Sequence, residues 1–370
     1  MKPPPFPEIT FMREALRLAR KGVGRVSPNP AVGAVVVRNG RVVGKGFHRG
    51  AGLPHAEAEA LCDAGAAARG ADMYVTLEPC DHQGRTPPCT KAILDARIAR
   101  VAYAMEDPNP VVSGRGAKRL RDAGLTVHEG LLSGDAMELN REWRRWIISG
   151  KPFVTLKLAV SLDGQIAAAT GESRWITGEQ ARLAVHRMRR VSDAILVGGE
   201  TARRDDPLLT PRVPGMAAGR LPKRVVLTSR PAELEGSRLF SNAGGDVIIA
   251  CPSCRISAKQ AKDISVSGAK VLRLPSRKGK IRAHDLLSAL GEQNITSLLV
   301  EGGGKTAGWL AEEGAVDRYV VFVAPLLLGE GIRAVSGWAA SPPSSGKKLL
   351  FKSVRRVGAD LMVVAAPNQS

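Results

Sequence analysis

The sequence predicts an α/β protein of two domains, 1–147 and 148–370. Three observations carry this. At 370 residues the chain exceeds one ordinary hydrophobic core. Short apolar runs of strand character alternate with helical segments along its whole length. Gly150-Lys151-Pro152 interrupts that alternation, directly after Leu132 to Ile148, which reads as a linking helix.

In the N-terminal half, residues 8 to 22 read as a helix. Thr10 stands as its N-cap, Phe11, Ala15, Leu18 and Ala19 share one face, and Gly22 and Gly24 end it. Pro28-Asn29-Pro30 is incompatible with helix and sets a fixed loop. Ala31 to Val37 reads as a buried strand, and Asn39-Gly40 signals a hairpin into Arg41-Val42-Val43. His55 to Ala68 is Ala-rich and helical, with Gly70 beyond its end. Met73 to Leu77 is a short strand, Cys89 opens a helix to about Arg97, and Val101 to Met105 is another strand. A helix before Ala123 and a strand at Leu125 to Glu129 complete a three-layer α/β domain with a mixed sheet.

The chemistry of this half gathers at His55-Ala56-Glu57, Pro79-Cys80 and Cys89. One imidazole and two thiolates make three zinc ligands and leave a fourth tetrahedral position for water, whereas a closed structural site takes four protein ligands. Glu57, two residues past the histidine, is placed to move protons between that water and a leaving amine. Zinc deaminases carry H-x-E followed by P-C-x-x-C. This chain departs from that pattern, because eight residues, Asp81 to Pro88, separate Cys80 from Cys89. A buried structural zinc would account for His55, Cys80 and Cys89, but not for Glu57 or the missing fourth ligand.

The C-terminal half opens with strand 153–160 and a turn at Asp163-Gly164, followed by helix 179–191 and strand 194–197 ending in Gly198-Gly199. Strands at 224–229, 246–250, 269–274 and 297–300 come next. The last of these runs straight into Glu301-Gly302-Gly303-Gly304-Lys305-Thr306 and helix 307–313. Strands 318–324 and 360–366, with a Pro/Ser-rich loop between them, close the chain. A strand, three glycines and a helix can form a phosphate cradle or merely a tight turn. The spacing matches neither G-x-G-x-x-G nor the P-loop.

The net charge is +19, which suits anionic substrates and cofactors or a nucleic acid. Aromatic content of only 4% argues against a stacking platform for single strands. The basic residues are dispersed apart from Arg277 to Arg282, which reads as a solvated loop. Five cysteines, no leader-like N-terminus and no bilayer-length apolar run point to a cytoplasmic protein without a membrane span. Cys251-Pro252-Ser253-Cys254 has no second pair to complete a metal site.

Several stretches resemble one family. They are Pro28 to Gly33, Thr76 to Cys89, Lys157 to Gly164, Trp175 to Gly178, Val197 to Thr201, Asp205 to Thr210 and Val300 to Gly303. In that order they resemble the bifunctional deaminase–reductase of riboflavin biosynthesis, over about residues 8 to 366. In that family the longer cysteine spacing is the rule. The resemblance implies a cytidine-deaminase-like domain followed by a dihydrofolate-reductase-like domain, with Zn2+ and NADPH as cofactors. It implies deamination of 2,5-diamino-6-(5-phosphoribosylamino)pyrimidin-4-one and then reduction of its ribosyl group to ribityl. The metal ligands would be His55, Cys80 and Cys89, and the catalytic residue Glu57. Asn29, His48, His82 and Arg85 match substrate-binding positions of the deaminase half. Ser173, Arg189, Leu209, Arg212 and Glu301 match positions that hold the substrate of the reductase half, and a forked guanidinium suits its phosphate. Ala159, Trp175, Thr201, Asp205, Ser229, Gly303, Gly304, Lys305 and Thr306 match cofactor contacts. Outside the resemblance, Arg189 reads as an exposed helix arginine and His48 as a satisfied strand histidine. The expected partner is a phosphorylated pyrimidine, with no nucleic acid, no membrane, and self-association into a homo-oligomer. The alternative is a nucleic-acid deaminase of the tRNA-editing type.

Overall fold

The computed structural model describes residues 6–84, 87–110, 112–215, 220–241, 244–266 and 268–368. The chain divides into two compact units, Met1–Gly150 and Lys151–Ser370.

The first unit runs α1 (Ile9–Ala19), β1 (Gly33–Arg38), β2 (Arg41–Phe47), α2 (Ala56–Ala64), β3 (Asp72–Val75), α3 (Cys89–Asp95), β4 (Arg100–Tyr103), α4 (Arg115–Asp122), β5 (Thr126–Glu129), α5 (Ser133–Leu139) and α6 (Arg141–Ser149). Its sheet has the order β2-β1-β3-β4-β5, antiparallel as far as β3 and parallel beyond it. Asn39 and Gly40 both take positive φ, 52° and 73°, as the expected two-residue hairpin turn requires.

Glycines set the three layers. A Cβ on Gly33 of β1 would lie 2.1 Å from the Ala15 carbonyl oxygen of α1. A Cβ on Gly46 of β2 would lie 2.2 Å from the Ala56 carbonyl oxygen of α2. Gly46 pairs with Ala34, the neighbour of Gly33, so these contacts fall on opposite faces of the sheet. Helix α2, which begins just after His55, is thus seated on β2 at backbone contact distance.

The helix boundaries correct the sequence reading in three places. Glu8, not Thr10, caps α1, and Thr10 lies inside the helix. The helix from His55 ends at Ala64 and tightens into a 3-10 turn to Ala68. The linking helix is two helices broken at Asn140. Asn140 accepts from the Ala31 N–H (2.7 Å) and donates to the Ala31 carbonyl (3.0 Å), so its side chain serves a distant loop.

The second unit runs β6 (Phe153–Val160), β7 (Gln165–Ala168), α7 (Glu179–Val191), β8 (Ala194–Gly198), α8 (Gly199–Asp205), β9 (Lys223–Leu227), β10 (Val247–Pro252), α9 (Ala258–Val266), β11 (Ala269–Leu274) and α10 (Ala283–Gly291). It continues through β12 (Ser297–Val300), α11 (Gly304–Glu312), β13 (Arg318–Val323), β14 (Gly331–Arg333), β15 (Leu349–Val357) and β16 (Asp360–Pro367). Nine strands form one sheet in the order β11-β10-β9-β8-β12-β6-β13-β16-β15. The first seven are parallel and the last two antiparallel.

Strand β12 enters late in the chain yet lies between β8 and β6. Sheets with such a reversal of strand order bind ligands at the carboxyl ends of their strands. Strand β6 alternates strictly: Val154, Leu156, Leu158 and Val160 enter the core, and Lys157 and Ala159 face the other side. Strand β15, expected as loop, is fully paired with β16 but exposed along nearly its whole length, so no burial pattern marks it in the sequence. Helix α11 begins at Gly304, earlier than expected, with Gly303 as its N-cap and Gly304 as its first residue.

Candidate zinc and reductase sites

In the first unit, His55 is the N-cap of α2 and Cys89 the first residue of α3, with Cys80 in the turn between β3 and α3. Two helix starts therefore converge on one point. The His55 Nδ1 lies 3.2 Å from the Cys89 Sγ and 3.6 Å from the Cys80 Sγ. All three donor atoms lie within 4.8 Å of one another. Tetrahedral zinc with Zn–S near 2.3 Å and Zn–N near 2.0 Å needs donors roughly 3.5 Å apart. The residues fit the metal, and they supply three donors rather than four.

Electrostatics agree. A hydrogen bond from Cys89, opposed by burial and aided by His55, lowers the Cys80 thiol to about 4. The Cys89 thiol is raised by the same contact with Cys80 and by burial. Such a thiolate beside an imidazole is a metal-ready donor set. Glu57, in the first turn of α2, is 3% exposed. Burial first, then the Cys80 charge, pushes its carboxyl up to about 7, the range in which a group can both take and return a proton.

Of the residues expected to hold substrate here, Asn29 and His48 lie together beside the cluster. Asn29 Nδ2 donates to His48 Nε2 at 3.0 Å, and His48 Nδ1 donates to the Pro54 carbonyl at 3.1 Å. That pair of contacts fixes a neutral tautomer, and burial holds the ring below its ordinary pKa. The His48 ring stands edge-on to His55, 5.5 Å between centroids. His82 is exposed, at the start of the loop beyond Cys80, and Arg85 lies outside the described residues.

The sequence reading missed the supports. Glu78, buried, accepts from the Gly114 and Ala117 N–H groups at 3.0 and 3.1 Å, tying the start of α4 to the zinc turn. Asp81 accepts from Thr90 Oγ1 at 2.6 Å and so ties the turn to α3. Asn140 holds Ala31, two residues from Asn29. A buried, saturated carboxylate or amide has no local sequence signature.

The second unit contains a charged group of three. Arg189 of α7 forks onto Glu301, Nε to Oε1 at 2.5 Å and Nη2 to Oε2 at 2.8 Å, and its Nη1 donates to the Thr210 carbonyl at 3.2 Å. Lys157 of β6 is the third member. Burial lowers its pKa, opposed by the Glu301 charge. Burial would raise the Glu301 carboxyl, but the Arg189 charge and hydrogen bond, with Lys157, hold it below the usual range. Lys157 was not foreseen, although its place in an alternating strand puts it on the non-core face.

Arg212 is exposed and its N–H donates to His186 at 3.2 Å. The Leu209 side chain is buried in a hydrophobic cluster, leaving its backbone to face the loop. Of the expected cofactor residues, Thr201, Gly303, Gly304, Lys305 and Thr306 lie together at the glycine loops. Strands β8 and β12 bring Gly198 and Gly302 together, Gly198 N–H donating to the Gly302 carbonyl at 3.3 Å. Thr201 Oγ1 accepts from the Gly303 N–H at 3.3 Å, and Thr306 packs on Gly198, where a Cβ would meet its Oγ1 at 2.6 Å. Around a Cβ built on Gly302, by contrast, there is open space, and Gly303 caps α11. A glycine at a helix start, with exposed Lys305 beside it and paired with Glu200 at 3.7 Å, suits an anionic group such as a pyrophosphate. Trp175 is 69% exposed with the Arg182 guanidinium 4.5 Å over its ring. The Asp205 carbonyl accepts from Arg174 at 3.1 Å, and Ala159 lies on the same face of β6 as Lys157. No hydrogen bond among the described residues joins Ser173 or Ser229 to these groups.

Comparison with known proteins gives the same two parts. Residues 7–105 match the cytidine and deoxycytidylate deaminase zinc-binding region, and residues 152–363 match the RibD C-terminal domain, more than half the chain. The chain belongs to the RibD family. It is 40% identical over 353 residues to the riboflavin biosynthesis protein RibD of Aquifex aeolicus, covering 95% of this chain and 96% of that one. With RibD of Escherichia coli it shares 39% identity over 364 residues, at 95% and 97% coverage. Among solved structures it superposes on Acinetobacter baumannii RibD with a TM-score of 0.88, 35% identity and coverage of 98% and 99%. The deaminase/reductase of Thermotoga maritima gives 0.87 at 37% identity, with coverage of 97% and 98%.

As a RibD protein the chain is a bifunctional enzyme of riboflavin biosynthesis, a deaminase and a reductase, with Zn2+ and NADPH as its cofactors. The α/β fold expected for each half stands, cytidine-deaminase-like and then RibD-reductase-like. The alternative of a tRNA-type deaminase is not favoured, because the RibD relatives match across both units. No helix among the described residues is long and apolar enough to cross a membrane.

Proposed function

We propose that the first unit deaminates 2,5-diamino-6-(5-phosphoribosylamino)pyrimidin-4-one and that the second reduces the ribosyl group of the product. The observation that carries the first assignment is an open three-donor cluster with a buried carboxyl beside it. His55, Cys80 and Cys89 hold zinc. When bound, zinc lowers the pKa of a coordinated water towards ~7 and so supplies a nucleophile at neutral pH. Glu57 takes the proton released as water adds to the ring carbon bearing the 2-amino group. It returns that proton to the departing amine, so ammonia leaves and a carbonyl remains. Asn29 and His48 orient the pyrimidine edge, and His82 and Arg85 serve the rest of the substrate.

In the second unit, NADPH supplies a hydride when bound. Gly303, Gly304, Lys305 and Thr306 receive its pyrophosphate, with Thr201 setting the loop. Ala159, Trp175, Asp205 and Ser229 line the remainder. Arg189 and Arg212, with Ser173 and the Leu209 backbone, hold the substrate phosphate. A carboxylate repels phosphate, so the part of Glu301 is to orient Arg189 and Lys157. Bound NADPH would supply the hydride for C1′, and Lys157 would protonate the ring oxygen as its bond to C1′ breaks, leaving a ribityl chain. A buried lysine of lowered pKa is suited to give up its proton.

Association into a homo-oligomer completes the reading. Strand β15 is the open edge of the nine-stranded sheet, and Phe351 (76%), Val354 (57%) and Leu350 (45%) are exposed on it. A second copy is the occupant that fits an apolar edge of this kind. The dispersed basic residues support small anionic ligands over nucleic acid, and free cysteines suit a reducing cytoplasm.

The test is turnover by zinc-loaded protein given the diaminopyrimidine phosphate, with and without NADPH. Ammonia in both conditions, with nicotinamide absorbance lost only after it, is expected. Ammonia without NADPH oxidation would overturn the reductase assignment.

A further inference from the structure

His186 stands at the junction of helix α7 and the loop that carries Arg212. It lies three residues before Arg189 on the same helix, so the two side chains share a face. Both reach the same loop. Arg189 Nη1 donates to the Thr210 carbonyl at 3.2 Å, and the Arg212 N–H donates to His186 Nδ1 at 3.2 Å. The loop they grip is strained. Asp206 and Leu209 are non-glycine residues with φ of 37° and 50°. Such conformations persist only where the surroundings over-determine them. Part of that restraint is plain: Asp206 accepts from Ser237 Oγ and from the Arg238 N–H at 2.7 and 2.9 Å, and Leu209 is buried. Beyond Thr210, the His186 side chain holds the backbone of Arg212.

We infer that His186 is a positioning residue of the reductase site, its neutral ring holding the Arg212 backbone so that the Arg212 guanidinium is presented to the substrate phosphate. This rests on the reading of Arg212 as a phosphate contact. An imidazolium has no lone pair to accept the Arg212 N–H, so the contact requires the neutral ring with its proton on Nε2. Burial, and after it the charges of Arg189 and Arg212, hold His186 below the ordinary imidazole pKa, which keeps that form populated at neutral pH. A histidine here does what a lysine or arginine does not: it accepts a backbone hydrogen bond beside two cations, Arg189 and Arg212.

The experiment compares His186→Ala, His186→Gln and Arg212→Gln in the intact enzyme, with the deaminated pyrimidine as reductase substrate. Glutamine keeps a neutral acceptor at the end of its side chain. His186→Ala is expected to raise KM for the pyrimidine by about 3- to 10-fold, the worth of one backbone-anchoring hydrogen bond. The same variant should keep kcat, KM for NADPH and ammonia release near wild type. His186→Gln is expected to bring KM back to within about twofold. Arg212→Gln should raise the same KM more steeply, since a charge-assisted contact is roughly twice as strong. An unchanged KM in His186→Ala alongside a raised one in Arg212→Gln overturns the inference and leaves the phosphate reading standing. Unchanged KM in both overturns the phosphate reading itself. Loss of NADPH affinity and of thermal stability together, without rescue by glutamine, would make His186 a general packing residue and also overturn the inference.

Discussion

Replacing Glu301 by glutamine tests the charged centre of the second unit. The Arg189 and Glu301 side chains are only 14% and 7% exposed, and they share two hydrogen bonds of 2.5 and 2.8 Å. Glu301→Gln keeps the shape but strands two cations, Arg189 and Lys157, in a buried site. Removing one partner of a buried pair costs about 3–5 kcal/mol, because the remaining charge loses its compensation. Lys157 already has a lowered pKa and can shed its proton, which trims the cost towards ~3 kcal/mol. For a unit of this size each kcal/mol shifts the melting temperature by about 2–4 °C, so a fall of roughly 6–12 °C is expected in scanning calorimetry. The double variant Arg189→Met/Glu301→Gln removes the stranded guanidinium and should recover at least half of that fall. A fall below about 2 °C in Glu301→Gln, or a double variant worse than the sum of the singles, would refute the buried-pair reasoning.

Further expectations follow from the same geometry. Lys157→Met should leave ammonia release intact and lower kcat for NADPH oxidation by roughly 10²–10⁴, the range for losing a positioned proton donor, as steady-state kinetics would show. Glu301 is held below the ordinary carboxylate value near ~4.3, so it contributes stability above that value and loses it as pH falls through its lower folded value. Wild-type melting temperature should therefore drop more steeply than that of Glu301→Gln once the pH passes below about 4. His55→Ala should lose bound zinc, measured by elemental analysis, and ammonia release with it, while still oxidising NADPH when given the deaminated pyrimidine.

How far the sequence reached depends on where each signal resides. The cluster of His55, Cys80 and Cys89 was legible because its chemistry lies in residue type and order: a histidine before a helix, two cysteines, and a glutamate two residues on. The β1–β2 hairpin was legible because Asn39-Gly40 is a local conformational demand. Supports such as Glu78, Asn140 and His186 were not, since each acts on a backbone group far along the chain. Asn140 and Ala31 are 109 residues apart, a separation that no periodicity reports. Strand β15 escaped for the opposite reason: exposed on both faces, it carries no alternation to read. Lys157 sat in plain view within a strand whose alternation was clean, but its chemistry depends on Arg189 and Glu301 arriving from other elements.

The most direct measurement is Glu57→Gln in zinc-loaded protein, with ammonia release and NADPH oxidation followed separately. Zinc content should match wild type, since Glu57 is not one of the donors. Ammonia release should fall by at least ~10²-fold, and reduction of supplied deaminated pyrimidine should proceed at the wild-type rate. Ammonia release near wild type, or reduction lost together with deamination in a folded, zinc-loaded variant, would contradict the assignment of one reaction to each unit.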